Sequence, residues 1–156
     1  MEACAFKVKD VISVIEDFAP VSIQENWDNS GLCIGSPEAA VHSVLLGLDC
    51  TPELVDEAVS CGADMIVTHH PLIFSGLKRI SPDDPVGLAV TKAVSAGISV
   101  YAAHTTADKV VAGVSGAMAR RLGLQNMEIL DKEGDGVGLG MVGDLPSPIS
   151  AAEAVE

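Results

Sequence analysis

Basic side chains and aromatic rings are both scarce in this chain. Its 156 residues include 9 Lys or Arg against 22 Asp or Glu, a formal net charge of −13. So acidic a surface repels a phosphate backbone at long range, which argues against general nucleic-acid binding. Its plainest meaning is a well-solvated exterior. Only 3% of residues are aromatic although 48% are hydrophobic, so a core must be assembled from Val, Ala, Leu, Ile and Gly. The four cysteines, Cys4, Cys33, Cys50 and Cys61, make no C-x-x-C pair and no zinc-ribbon spacing. Reduced thiols in a cytoplasmic protein are the expectation. No apolar run approaches the roughly 18 residues that span a bilayer, so no membrane segment is expected. The opening "MEACAFKVKDVISVIEDF" mixes charges into its apolar residues at helical intervals, unlike a signal peptide.

What is present reads as one α/β domain over residues 1–156, long enough for a sizeable core. Val8, Val11, Ile12 and Ile15 recur at helical spacing ahead of Pro20. "SVLLGLD" (43–49) is a short apolar strand. Thr51 and Pro52 then make a good N-cap and first helical residue, and Gly62 a natural stop. "DMIVT" (64–68) is the next strand, a helix fits about 86–96 before Gly97, and "ISVYA" (98–102) is a third strand. A further helix fits 112–122, with strands near 127–130 and 137–145. Strands apolar on both faces and separated by helices indicate a mostly parallel sheet covered by helices. The three strands are expected as parallel neighbours with their carboxyl ends on one edge, where open α/β sheets bind ligands. "GDGVGLG" (134–140) leads into a strand rather than opening a helix, so it reads as a twisted or bulged hairpin and not as a dinucleotide loop.

Three strand ends bring polar residues to that edge: Asp49, then His69 and His70, then His104 with Asp108 close behind. Imidazole and carboxylate suit Zn, Mn, Fe or Ni. Five such groups exceed what one ion takes from protein, so two ions about 3.5–4 Å apart, activating a shared water, are plausible. Adjacent strand residues face opposite ways, so His69 and His70 converge only if the backbone leaves the strand there, and Pro71 allows it. Asp49 has a second reading, as a cap for the following helix. His42 precedes its strand and reads as a surface histidine. Trp27, the single tryptophan, either packs beside the metal pocket against a substrate ring or fills ordinary core. Asp83 and Asp84 read as a solvated turn, as do Lys78 and Arg79, although that pair could also meet a phosphate.

Four blocks, "ENWDNSGLCIG", "LLGLDCT", "GADMIVTHHPLIFSGLKRI" and "VYAAHTTAD", resemble the GTP cyclohydrolase 1 type 2 family, also called NIF-three-like proteins. Their order and spacing match over residues 7–156. The resemblance implies an α/β NIF-three-like fold, a hexameric ring and a site for two divalent metal ions per subunit. Carried over by position, it implies His69, His70 and Asp108 as metal ligands and a site histidine at His104, which is expected as the catalytic one. Trp27 and Asp49 are expected in the substrate pocket. It also implies a His-x-x-x-Glu motif near the C-terminus, whereas no histidine follows His104 here. Ser150-Ala-Ala-Glu153 is a capping box with barely a turn of chain behind it. Both observations suggest a truncated chain. The function expected is a metal-dependent hydrolase acting on a nucleotide or phosphoester. The alternative is a metal-binding interaction protein that assembles as a ring without turnover.

Overall fold

A computed structural model describes residues 6–150 and 152–153. They fall into two compact units, one up to Thr106 and one from Ala107 onward. The first unit contains β1 (Phe6–Lys7), α1 (Val8–Phe18), β2 (Gly31–Ile34), β3 (Ala40–Val41) and β4 (Val44–Gly47). It continues with α2 (Pro52–Cys61), β5 (Met65–Thr68), α3 (Pro85–Ala96) and β6 (Ser99–Ala102). The short α4 (Thr105–Lys109) follows, and then α5 (Val114–Arg121), β7 (Gln125–Gly134) and β8 (Val137–Asp144).

The central sheet has the order β2-β6-β5-β4. As the apolar runs predict, β4, β5 and β6 are parallel neighbours, with Gly47 opposite Thr68 and Thr68 opposite Ala102. β2 joins β6 antiparallel and was not legible as a strand. It spans four residues and carries a register shift between Leu32 and Ile34. Gly35, just past it, sits at φ +106, and a Cβ there would lie 2.2 Å from the Ser99 hydroxyl oxygen. Only glycine permits that approach.

Alternate residues of each strand feed opposite faces. Ile66 and Val100 pack with Val55, Ala58, Ala89 and Ala93 of α2 and α3. Met65 and Tyr101 pack on the other side with Val8, Val11, Ile12 and Ile15 of α1. With so few aromatic residues, alanines on the helix faces are what let α2 and α3 lie close to the sheet. The helix ends follow local chemistry. The Thr51 hydroxyl accepts from Leu54 N at 3.2 Å, Pro52 opens α2, and Gly62 closes it at φ +70. Asp84 is not a plain solvated turn residue: its carboxylate accepts from Gly87 N at 2.8 Å and caps α3.

In the second unit β7 and β8 form an antiparallel hairpin with two register shifts, the bulged form expected of its alternating glycines. Gly136, at φ +73, makes its turn. The Lys109 ammonium is almost wholly buried and pairs with Glu133 at 2.7 Å. Ser150 N donates to Glu153 at 2.8 Å and Glu153 N to the Ser150 hydroxyl at 3.3 Å, so the capping box is formed. The residues expected to continue that helix lie outside the described ones. Among the described residues no helix is long and apolar enough to cross a membrane.

Candidate metal centre

β5 delivers His69 and His70 to the carboxyl edge of the sheet. Past Thr68 the chain stays bonded to the end of β4 and the residue after it, with His69 N donating to Gly47 O at 3.3 Å and His70 N to Leu48 O at 3.0 Å. The Thr68 hydroxyl donates to the His70 carbonyl at 2.8 Å and bends the backbone out of the strand. That departure is what two neighbouring histidines need to share one side. β6 stays in step, with Ala103 N donating to Thr68 O at 2.9 Å, and His104 comes next.

The three imidazoles form one cluster. Ring centroids are 4.9 Å apart for His69 and His70, 5.2 Å for His69 and His104, and 5.5 Å for His70 and His104. One ligand nitrogen from each lies within 4.8 Å of the others. Every ring has its Nδ1 engaged. His69 Nδ1 meets the Ala103 carbonyl at 3.2 Å, His70 Nδ1 the Asp49 carboxylate at 2.7 Å, and His104 Nδ1 the Asp28 carboxylate at 2.9 Å. Carbonyl and carboxylate oxygens accept only, so Nδ1 carries the proton in each ring. Nε2 is then the ring nitrogen that these three bonds do not hold. Imidazoles oriented through an acceptor on one ring nitrogen are how proteins prepare histidine for a metal.

Asp28 is the residue that sequence reasoning missed. Nothing within "WDNSG" marks it out, because 76 positions separate it from His104. Its side chain is wholly covered. One oxygen accepts from His104 Nδ1 and from Asn29 N at 2.6 Å. The other accepts from the Ser30 hydroxyl at 2.8 Å, from Thr105 N at 3.1 Å and from the Thr105 hydroxyl. Burial alone would push this carboxyl up, but the bonds from Thr105, His104, Ser30 and Asn29 outweigh it and hold it down at about 2. An ionised carboxylate with no water contact is thereby fixed against His104.

The other expected residues fall as follows. Asp49 holds His70 and does not cap α2, whose cap is Thr51. Trp27 is not a core residue: it is 58% exposed, with its ring centroid 6.0 Å from that of His104. Asp108 lies in α4. His42 is exposed at the far end of β4, where Asp64 accepts from its backbone N–H at 2.7 Å. Burial pushes the Cys33 and Cys50 thiols up to about 11, so they stay protonated near neutral pH and are unreactive.

The donor set fits a divalent transition metal. Two nitrogens bound to one ion at ~2.1 Å stand at most ~4.2 Å apart, so small ring rotations bring this cluster onto an ion. Imidazole favours Zn, Fe and Ni among divalent ions, and with carboxylate oxygen also Mn.

An α/β sheet that presents three oriented imidazoles at its carboxyl edge defines a protein with a candidate metal centre. A sequence profile of Duf34/NIF3 (NGG1p interacting factor 3) matches residues 6–156, and the chain belongs to that family. It is 40% identical over 152 residues to the GTP cyclohydrolase 1 type 2 homolog of Clostridium acetobutylicum, covering 96% of this chain and 57% of that protein. The chain thus spans little more than half of that relative's length. Among solved structures, the Bacillus cereus protein related to NIF3 is 41% identical with a TM-score of 0.78, over 82% of this chain and 36% of that one. Reduced HcgD from Methanocaldococcus jannaschii is 28% identical with a TM-score of 0.77, over 85% of this chain and 53% of that one.

Proposed function

We propose that this chain carries the metal site of a divalent-metal-dependent hydrolase acting on a nucleotide or phosphoester. The observation that carries the reading is the convergence of His69, His70 and His104, each with Nδ1 occupied by an acceptor. His69 and His70 would hold an ion. His104 serves there as a third ligand or as the catalytic group, and in either role Nε2 is its working atom. Asp108 is a further ligand by resemblance, for a site of two ions. A divalent ion held there supplies Lewis acidity and lowers the pKa of a water molecule. The protein's own part is orientation. Asp28, Asp49 and the Ala103 carbonyl fix three rings before any ion arrives, and Asp28 does so from a site closed to water. The Clostridium relative carries GTP in its name, which supports a nucleotide as the substrate.

A second reading is a metal-binding protein that forms a homo-oligomeric, hexameric ring for partners and turns nothing over. The family description favours it, because it names an interacting factor. The deciding experiment loads the chain with Zn, Mn, Fe or Ni in turn, measures bound metal, and assays nucleotides and phosphoesters. Metal binding together with turnover that vanishes in His69→Ala supports the hydrolase. Metal binding with no turnover of any substrate supports the ring protein, whose size light scattering would then measure. Absence of metal binding overturns both.

A further inference from the structure

We propose that Trp27 and Phe74 form a wall that takes the planar heteroaromatic ring of a ligand, of the nucleobase class, beside the histidine cluster. The inference deepens the hydrolase reading, because it chooses ring recognition over phosphate recognition at the same site. The chain has five large aromatic residues, one Trp, one Tyr and three Phe. Two of them stand together here. Trp27 is 58% exposed and Phe74 51%. Their centroids are 6.0 Å apart, and they lie 6.0 Å and 6.2 Å from the His104 ring. Leaving such rings in water forgoes stabilisation that burial would give. A lone exposed aromatic needs no explanation, but a pair against a metal-competent cluster does.

The pair is also held in place. Trp27 sits in a turn closed by Asp28 N donating to Glu25 O at 3.0 Å. Glu25 N in turn donates to the Thr105 hydroxyl at 3.0 Å, and Ser30 N to the Gln24 side chain at 3.0 Å. The Asn29 amide donates to the Ile73 carbonyl, which ties this turn to the loop that carries Phe74. The two planes meet at 40°, so the rings do not stack face to face and do not use up each other's faces. Charge points the same way. At a net −13 the molecule repels phosphate from a distance, whereas stacking is indifferent to charge. A nucleobase on this wall would lie next to the histidines with no need of a basic cluster.

Trp27 is the only tryptophan, so its fluorescence reports from the wall itself. The full chain is titrated with guanosine and adenosine, and separately with ribose 5-phosphate, each with and without zinc. The expected result is saturable quenching by both nucleosides and none by ribose 5-phosphate. Phe74→Ala should weaken nucleoside binding roughly tenfold, in the range of base–aromatic stacking. Phe74→Leu keeps apolar bulk without an aromatic face and should weaken it nearly as much. Both replace a half-exposed side chain, and circular dichroism would confirm folding. No saturable quenching by either nucleoside, with or without zinc, overturns the wall, as does equal quenching by ribose 5-phosphate or undiminished binding by Phe74→Leu. A chain that fails to bind zinc calorimetrically yet still stacks nucleosides would sink the hydrolase reading and leave the wall standing. Zinc binding without nucleoside binding would do the reverse.

Discussion

The Asp28 carboxylate accepts the Nδ1 proton of His104 at 2.9 Å from a position with no solvent access. Five hydrogen-bond donors converge on that one carboxylate. Asp28→Asn replaces an oxygen with an NH2 group that must face either the imidazole or the Thr105 and Ser30 donors. Stability should fall by about 2–3 kcal/mol, the scale of a buried charge-assisted bond left unmade. Affinity for zinc should fall 10- to 100-fold, as when a histidine ligand loses its orienting partner. Urea unfolding and calorimetric metal titration check the two effects. Unchanged values in both would mean that the pair is incidental.

Asp49 and His70 form an even shorter pair, 2.7 Å, but Asp49 is 57% exposed. Water can take over what Asp49→Asn gives up. The stability change should stay within about 0.5 kcal/mol, as for exposed ion pairs, and zinc affinity should drop only a few-fold. A loss as large as that of Asp28→Asn would show that exposure does not rank these two partners.

Gly35 and Gly62 both hold positive φ, and their alanine variants should part company. At Gly62 a Cβ meets nothing within 4 Å, so Gly62→Ala costs only the left-handed backbone, about 1 kcal/mol. At Gly35 the new carbon would stand 2.2 Å from the Ser99 hydroxyl oxygen and 2.9 Å from Ser99 Cα. β2 must then move off β6. Gly35→Ala should cost about 3 kcal/mol, strain and overpacking together. Chemical unfolding of both variants decides it.

The parts of this fold that could be read from the sequence are those with a period or a cap. β4, β5 and β6 announce themselves as apolar runs, and α2 through Thr51, Pro52 and Gly62. β2 does not, because three residues between Gly31 and Gly35 carry too little pattern, and its place is set by β6, some 70 positions later. The two-residue β1 and β3 are set by pairing with each other in the same way. At the site, His69, His70 and His104 were legible because strand ends share an edge. Asp28 was not, because its meaning lies in a long-range bond to a histidine. Asp84 reads as a turn residue because flanking prolines signal a turn as readily as a helix start, whereas Pro85 is the first residue of α3.

Tyr101 gives a test that is independent of any metal. It is fully buried on β6, and its hydroxyl donates to Glu16 of α1 at 3.3 Å. Burial first, and then the charge and hydrogen bond of Glu16, push this phenol well above its ordinary value of 10.0. In the unfolded chain the phenol ionises near that ordinary value, while in the folded protein it stays protonated to higher pH. Its contribution is therefore complete below about pH 10 and is lost as pH rises beyond it. The loss approaches about 1.4 kcal/mol per pH unit, one proton's worth. Tyr101→Phe removes this dependence. At neutral pH the variant should be about 1 kcal/mol less stable, through the lost bond to Glu16, and the gap should close and then reverse as pH climbs past about 10. Cys33 and Cys50 also titrate at high pH, but they do so in both proteins, so the difference between the two urea-unfolding curves isolates the phenol. Parallel pH profiles for the two proteins would show that Tyr101 titrates normally and that its burial against Glu16 is not maintained in solution.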